Sequence, residues 1–153
     1  MYMDLVPSTS ILLQQKALYI DNVKEIPNNL IFSMFYIMDM KGGIGLSGCQ
    51  IGYPYQIFAT NVDSNPLLFI NPEITWYSSE KDIEDEGCLS FPGVRGAIKR
   101  SRIIKIKARN ASNEEFDLTA TELLSRCIQH EFDHLQGIVF TSKFEIQPTD
   151  PVA

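Results

Sequence analysis

The run His130-Glu131-Phe132-Asp133-His134 holds the residues whose types and spacing could do chemistry. On a helix, positions four apart lie on one face about one turn apart, so two imidazoles at that spacing can grip one metal ion. Glu131 then falls on the adjacent stripe, beside an open coordination position. A divalent ion held this way lowers the pKa of a bound water to roughly 7, and a neighbouring carboxylate takes the proton, which is hydrolytic chemistry at neutral pH. The same five residues also fit a solvated helix face, a pattern that arises by chance. Two features favour the metal: the chain has only these two histidines, and Leu124, Ile128 and Leu135 give their helix a stripe that buries it beside Glu131.

Two histidines need a third protein ligand, and its position separates enzyme classes. The metzincin pattern puts a third histidine where this chain has Phe140, although Gly137 fits that pattern's glycine. A thermolysin-like glutamate on a later helix has little room, because nineteen residues follow His134. Upstream, Glu86-Gly87-Cys88-Leu89-Ser90 stands ahead of an expected turn at Phe91-Pro92-Gly93, and a Cys88 thiolate there could complete a Cys-His-His site. The competing fate of a free cysteine is a small buried hydrophobe, which is the reading for Cys127 and Cys49.

The elements that must position these residues follow from pattern. After Pro27-Asn28-Asn29, apolar residues Leu30, Ile31, Met34, Phe35 and Met38 recur at helical spacing and Gly42-Gly43 stop the segment, so a helix is predicted over 28–40 with one buried face. From 56 to about 118 the runs QIFATN, LLFIN, EITWYSSE and IIKIKARN, separated by turn residues, predict mostly antiparallel sheet. A last helix is expected from about 120 to 136, opened by a capping box between Thr119 and Glu122 and closed at Gly137. The expected class is α+β: an N-terminal helix, mostly antiparallel sheets, and a long C-terminal helix carrying HEFDH, packed across the sheet with its histidines facing the Cys88 turn. Residues 145–153, with two prolines, read as a loosely ordered tail of a single domain over 1–153.

Bulk composition excludes several classes. The chain has 153 residues, 44% hydrophobic and 21% charged, and no uninterrupted apolar stretch long enough for a bilayer. A net charge of -6 with scattered Lys and Arg, apart from Lys99, Arg100 and Arg102, argues against nucleic acid as a partner. Three cysteines, an odd count, argue against a disulfide framework and for a reducing compartment. The opening MYMDLVPSTS has neither the basic start and apolar run of a secretory signal nor the arginines of a transit peptide, so the chain is expected to stay where it is made.

Three motifs in order, Gly43-Ile44-Gly45-Leu46-Ser47-Gly48-Cys49-Gln50, then Glu86 to Ser90, then His130 to His134, resemble those of the peptide deformylases. The similarity runs from about residue 25 to 142 and takes in Asn71-Pro72-Glu73 and Gln129. The resemblance implies removal of the formyl group from N-formylmethionyl peptides or nascent chains, with formate released. It implies Cys88, His130 and His134 as ligands of one divalent ion, Fe(II) first, with Zn(II), Ni(II) or Co(II) as substitutes. It makes Glu131 the general base and later acid, and gives oxyanion support to the Gln50 side chain and the Leu89 backbone N–H. Gly43, Ile44 and Gly45 become the segment along which substrate lies, with Ile44, Phe91 and Cys127 candidates for a methionine pocket and generic core packing the rival reading. A monomer is expected, in a bacterial cytoplasm, a host cytoplasm for a viral protein, or an organelle.

Departures from the family pattern carry their own expectations. Ser47-Gly48 stands where two alanines are usual, a change expected to keep close packing while loosening the loop. Arg126 stands where many relatives are apolar and is expected to make the pocket rim more polar. Arg95 falls near the cleft in the family pattern, with a solvated loop arginine an even alternative. The chain ends soon after Phe144, where many members continue into a helix, so contacts made through that helix are expected to be lost. Two other functions stay open at this level: a zinc peptidase resting on HEFDH alone, and a non-catalytic module binding formylated peptides.

Overall fold

The structure, a computed structural model, describes residues 3–145. Helix α1 spans Leu30–Lys41 and ends at Gly42, whose φ of 70° puts it in the left-handed region that closes helices. Seven strands follow: β1 (Gly45–Ser47), β2 (Ile57–Val62), β3 (Asn65–Tyr77), β4 (Lys81–Cys88), β5 (Phe91–Ser101), β6 (Ile103–Arg109) and β7 (Glu115–Thr121). Helix α2, Glu122–Leu135, comes last of the long elements. All strand pairs are antiparallel, in a five-stranded sheet of order β1-β2-β3-β6-β7 and a separate β4–β5 hairpin. The α+β class predicted from the sequence therefore holds.

Alternation explains β6, whose Ile104, Ile106 and Ala108 are buried while Lys105 and Lys107 face out. Strand β2 is buried on both faces, because each face meets a helix. Ile57 and Ala59 join Leu30, Met34, Ile37 and Met38 of α1 in one core. Phe58 joins Phe69, Ile104, Ile106, Ile128 and Leu135 in the other, under α2. Phe58 and Phe69 are direct cross-strand partners with ring centroids 4.7 Å apart. Each such fully buried side chain contributes about 1.5–3 kcal/mol, and the ring pair a further 0.5–1.5 or so. No helix among the described residues is long and apolar enough to cross a membrane.

Three local expectations are corrected. LLFIN and EITWYSSE are one strand, β3, carried past Asn71 at φ 50° by register shifts, with the Asn71 side chain bonding both backbone groups of Ile20. Thr119 is a strand residue, and α2 opens after Thr121 with no side-chain cap, so the proposed capping box does not form. The turn expected at Phe91-Pro92-Gly93 lies instead at Leu89-Ser90, with Cys88 paired to Phe91 across it. Of the expected loose tail, Glu145 is tied by its N–H to the Ala97 carbonyl at 2.8 Å, and 146–153 lie outside the described residues.

Candidate metal centre

Two elements meet to form the site. Helix α2 presents His130 and His134 on one face, their rings 5.2 Å apart, and the β4–β5 hairpin brings Cys88 from its tip. One ligand atom from each of the three residues falls within 4.8 Å of the others. Cys88 Sγ lies 3.4 Å from His134 Nε2. Phe140, at the position a metzincin would give to a histidine, packs its ring against His130 at 5.4 Å.

His130 is oriented from behind. Its Nδ1 meets Glu86 Oε1 at 2.8 Å, leaving the other ring nitrogen for the site. Glu86 is itself gripped: Arg100 donates from Nε to Oε2 and from Nη2 to Oε1, both at 2.9 Å, and Arg126 Nη1 donates to Oε2 at 2.7 Å. Arg100 Nη1 also reaches Asp133 Oδ2 at 2.6 Å. A carboxylate on the far nitrogen of a histidine is the usual arrangement behind metal ligands, fixing tautomer and ring plane.

The electrostatics fit a cation. Burial lowers the pKa of His130, but its hydrogen bonds to Cys88 and Glu86 and the negative charges of Glu131 and Cys88 outweigh burial and push it up to about 10. Groups that favour a proton so strongly on His130 favour a metal cation beside it. His134 goes the other way, held down at about 3 by burial and by the charges of His130 and Arg100, so it is the neutral imidazole that ligation requires. His134 Nδ1 and Glu131 Oε1 are buried with no hydrogen-bond partner among the described residues. A soft thiolate with two imidazoles suits Fe(II), Zn(II) and their neighbours in the first transition row.

Glu131 is 4% exposed and its pKa is raised to about 7, by burial first and by Glu86 and Asp133, against the positive charges of His130 and Arg100. It borders a cleft of about 580 Å³ also lined by Gly43, Ile44, Gly45, Gln50, Cys88, Leu89, Phe91, Cys127 and His130. His134 sits behind the cleft wall, 1% exposed. Gln50, buried in the turn Gly48–Ile51, donates from Nε2 to Ser90 Oγ at 2.9 Å and lies 3.6 Å from Cys88 Sγ. Its Oε1 accepts from the Ser47 N–H at 2.9 Å and from Ser47 Oγ at 3.1 Å. The amide is thus held the right way round, its donor end toward the site.

Gly43 and Gly45 are needed for close approach rather than for turns, since neither has a positive φ. A Cβ on Gly45 would stand 2.6 Å from Glu131 Oε2 and 2.8 Å from Cys127 Sγ, and one on Gly43 2.7 Å from Leu89 Cδ1. Cys127 and Cys49 are buried thiols, as expected of small hydrophobes. In the Ser47-Gly48 loop, Ser47 is bonded to Gln50, and a Cβ at Gly48 would meet Ile57 and the Tyr53 carbonyl at 2.8 Å, so the packing is close, as expected. Arg126 borders the cleft, but its guanidinium is buried and donates to Glu86, to the Ile98 carbonyl and to the Asp82 carbonyl, so it does not make the rim polar. Arg95 is an exposed cleft arginine paired loosely with Asp85 at 3.7 Å. Sequence reasoning missed Glu86 and Arg100. The available signal was a carboxylate two residues before Cys88 in a segment that could be a strand, the spacing that returns a side chain to the same side.

A family model for polypeptide deformylase matches residues 4–149. A peptide deformylase of Pseudothermotoga lettingae is 40% identical over 128 residues, covering 84% of this chain and 74% of that protein. The crystal structure of the peptide deformylase of Thermotoga maritima aligns with a TM-score of 0.91 at 30% identity, over 95% of this chain and 99% of the other. A Synechococcus elongatus peptide deformylase, solved in complex with actinonin, aligns with a TM-score of 0.90 at 32% identity, over 95% of this chain and 80% of the other.

Proposed function

This chain belongs to the peptide deformylase family, and we propose that it hydrolyses the N-formyl group from the initiator methionine of newly made proteins, releasing formate, within a single catalytic domain over 1–153. The observation that carries this reading is the convergence of Cys88, His130 and His134 beside the buried Glu131 at a cleft. A divalent ion held by those three residues, Fe(II) first with Zn(II), Ni(II) or Co(II) as substitutes, would supply Lewis acidity that acidifies a water and polarises the formyl carbonyl. Every other part of the reaction falls to side chains and backbone.

Glu131, with a pKa near 7, is matched to take a proton from the attacking water at neutral pH and to return it to the departing amine. Gln50, its amide locked by Ser47 and Ser90, and the Leu89 backbone N–H stabilise negative charge developing on the formyl oxygen. Strand β1 is an edge of the five-stranded sheet, so an extended peptide can lie along Gly43, Ile44 and Gly45 as an added strand. Ile44, Phe91 and Cys127 all line the cleft and offer apolar, polarizable walls to a methionine side chain. The substrate is a nascent chain, and the enzyme acts as a monomer in the cytoplasm or organelle where formylated chains are made.

The test is formate release from formyl-Met-Ala-Ser by iron-loaded protein under anaerobic conditions, beside a Glu131→Ala control. The proposal expects turnover that falls about 10²–10⁴-fold in the control, the usual contribution of a positioned acid–base group. Formate no higher than the control's would overturn it.

A further inference from the structure

The ligands come from two elements with no shared strand pairing, since the β4–β5 hairpin is a sheet of its own and His130 and His134 ride on α2. Something must set the distance between them. Arg126 stands one turn before His130 and is 7% exposed. From α2 its Nη1 donates to Glu86 Oε2 at 2.7 Å and to the Ile98 carbonyl at 2.8 Å, and its Nη2 donates to the Asp82 carbonyl at 2.8 Å. All three acceptors belong to the hairpin, on both of its strands.

We infer that Arg126 is a positioning residue of the metal centre: it locks the cysteine-bearing hairpin onto the histidine-bearing helix and, through Glu86, fixes the plane of the His130 ring. Arg100, through Asp133, and the Ser101 backbone, through Ser125 and Gln129, also tie β5 to α2, but neither reaches β4 from the helix, whereas Arg126 bonds both strands and Glu86 itself. Arg126 Nη1 takes Glu86 Oε2, while Oε1 of the same carboxylate holds His130 Nδ1, so the carboxylate is fixed at both ends. Three acceptors in different directions call for a planar fork of donors, which a lysine ammonium on a flexible stem does not reproduce. The inference rests on the reading that Cys88, His130 and His134 hold a divalent ion, and it adds a residue outside that ligand set.

Co(II) affinity, measured in the cold by competition with a chelator on protein shown folded by circular dichroism, tests it without substrate. Arg126→Met is expected to weaken Co(II) binding at least about 10-fold, the lower end for losing a group behind a metal ligand, and to alter the thiolate-to-cobalt absorption band. Arg126→Lys is expected to lose part of that affinity. The double variant with Glu86→Gln should fall short of the product of the two single losses, because both act through one carboxylate. Wild-type affinity in a folded Arg126→Met protein overturns the inference, as do losses that multiply independently. Should the Met variant not fold, Arg126→Lys decides: weaker binding supports the role, and unchanged binding overturns it. Uptake by wild type with unchanged variants sinks only this inference, whereas no uptake by wild type sinks the metal-centre reading together with it.

Discussion

On the histidine side of the centre, α2 is seated by Ile128 and Leu135 against Phe58 and Phe69 of the sheet. On the cysteine side the hairpin is seated by Glu86 and Arg100 against Arg126, His130 and Asp133 and by the Ser101 backbone against Ser125 and Gln129, with Ile98 buried and Phe91 against Phe140 as its apolar contacts. Apolar contact is non-directional and holds a helix against small errors in angle. Buried charge pairs give little net stability over apolar isosteres, yet breaking one is costly and each fixes a direction. The helix half therefore gives the site its stability, and the hairpin half its geometry.

That division can be broken by substitution. Phe58→Ala should destabilise the protein by about 3–5 kcal/mol through lost burial and the cavity left behind. Co(II) affinity of the molecules that remain folded should not change. Calorimetry with a parallel metal titration checks both, and a loss of affinity matching the loss of stability would erase the distinction. Glu86→Gln should differ in the metal, weakening its binding by about 10- to 100-fold, while leaving Arg100 and Arg126 without this carboxylate costs about 3–5 kcal/mol of stability. A Gln variant that melts far lower yet binds metal normally would put the hairpin in the same class as the helix.

Acid sharpens the same contrast. Burial opposes charge on Glu86, but hydrogen bonds from Arg100 and His130 and their positive charges hold its pKa at about 2 against an ordinary 4.5. A carboxyl depressed in the folded state contributes its full stability above the unfolded value and loses it as pH falls through the folded one. Acid titration of metal-free protein should thus show wild type losing this contribution from about pH 4.5 down to 2, with a flatter course for Glu86→Gln. Parallel curves would contradict the charge lock.

The smallest expected effect is that of Ser47→Ala. It removes one of two donors to Gln50 Oε1 and leaves the backbone N–H, so kcat should fall roughly fivefold, the ~1 kcal/mol of a typical hydrogen bond, with KM unchanged. A change in KM alone would mean that Gln50 binds substrate rather than stabilising charge that develops during reaction.

The same contrast governs what the sequence makes legible. Helix α1 reads from Leu30, Met34 and Gly42, β6 from alternating Ile and Lys, and α2 from the histidine spacing and its apolar stripe, because burial of apolar residues writes a period into the chain. Strands β4 and β5, KDIEDEGC and FPGVRGAIKRS, carry few apolar residues and include glycine and proline, so neither reads as a strand. What they bury is largely charge, and a charge pattern looks the same whether the residues face solvent or each other. Arg126 was legible only as a departure, its partners being 28 to 44 residues distant in sequence. The cap at Thr119 was misread because the threonines at 119 and 121 end a strand.

X-ray absorption at the zinc edge of Zn(II)-reconstituted protein tests the central claim, that Cys88 joins His130 and His134 on one ion, most directly. The account predicts one ion per chain with a single sulfur at about 2.3 Å and two imidazole nitrogens at about 2.0–2.1 Å, and loss of the sulfur shell in Cys88→Ser. A first shell without sulfur in the wild-type protein would contradict it.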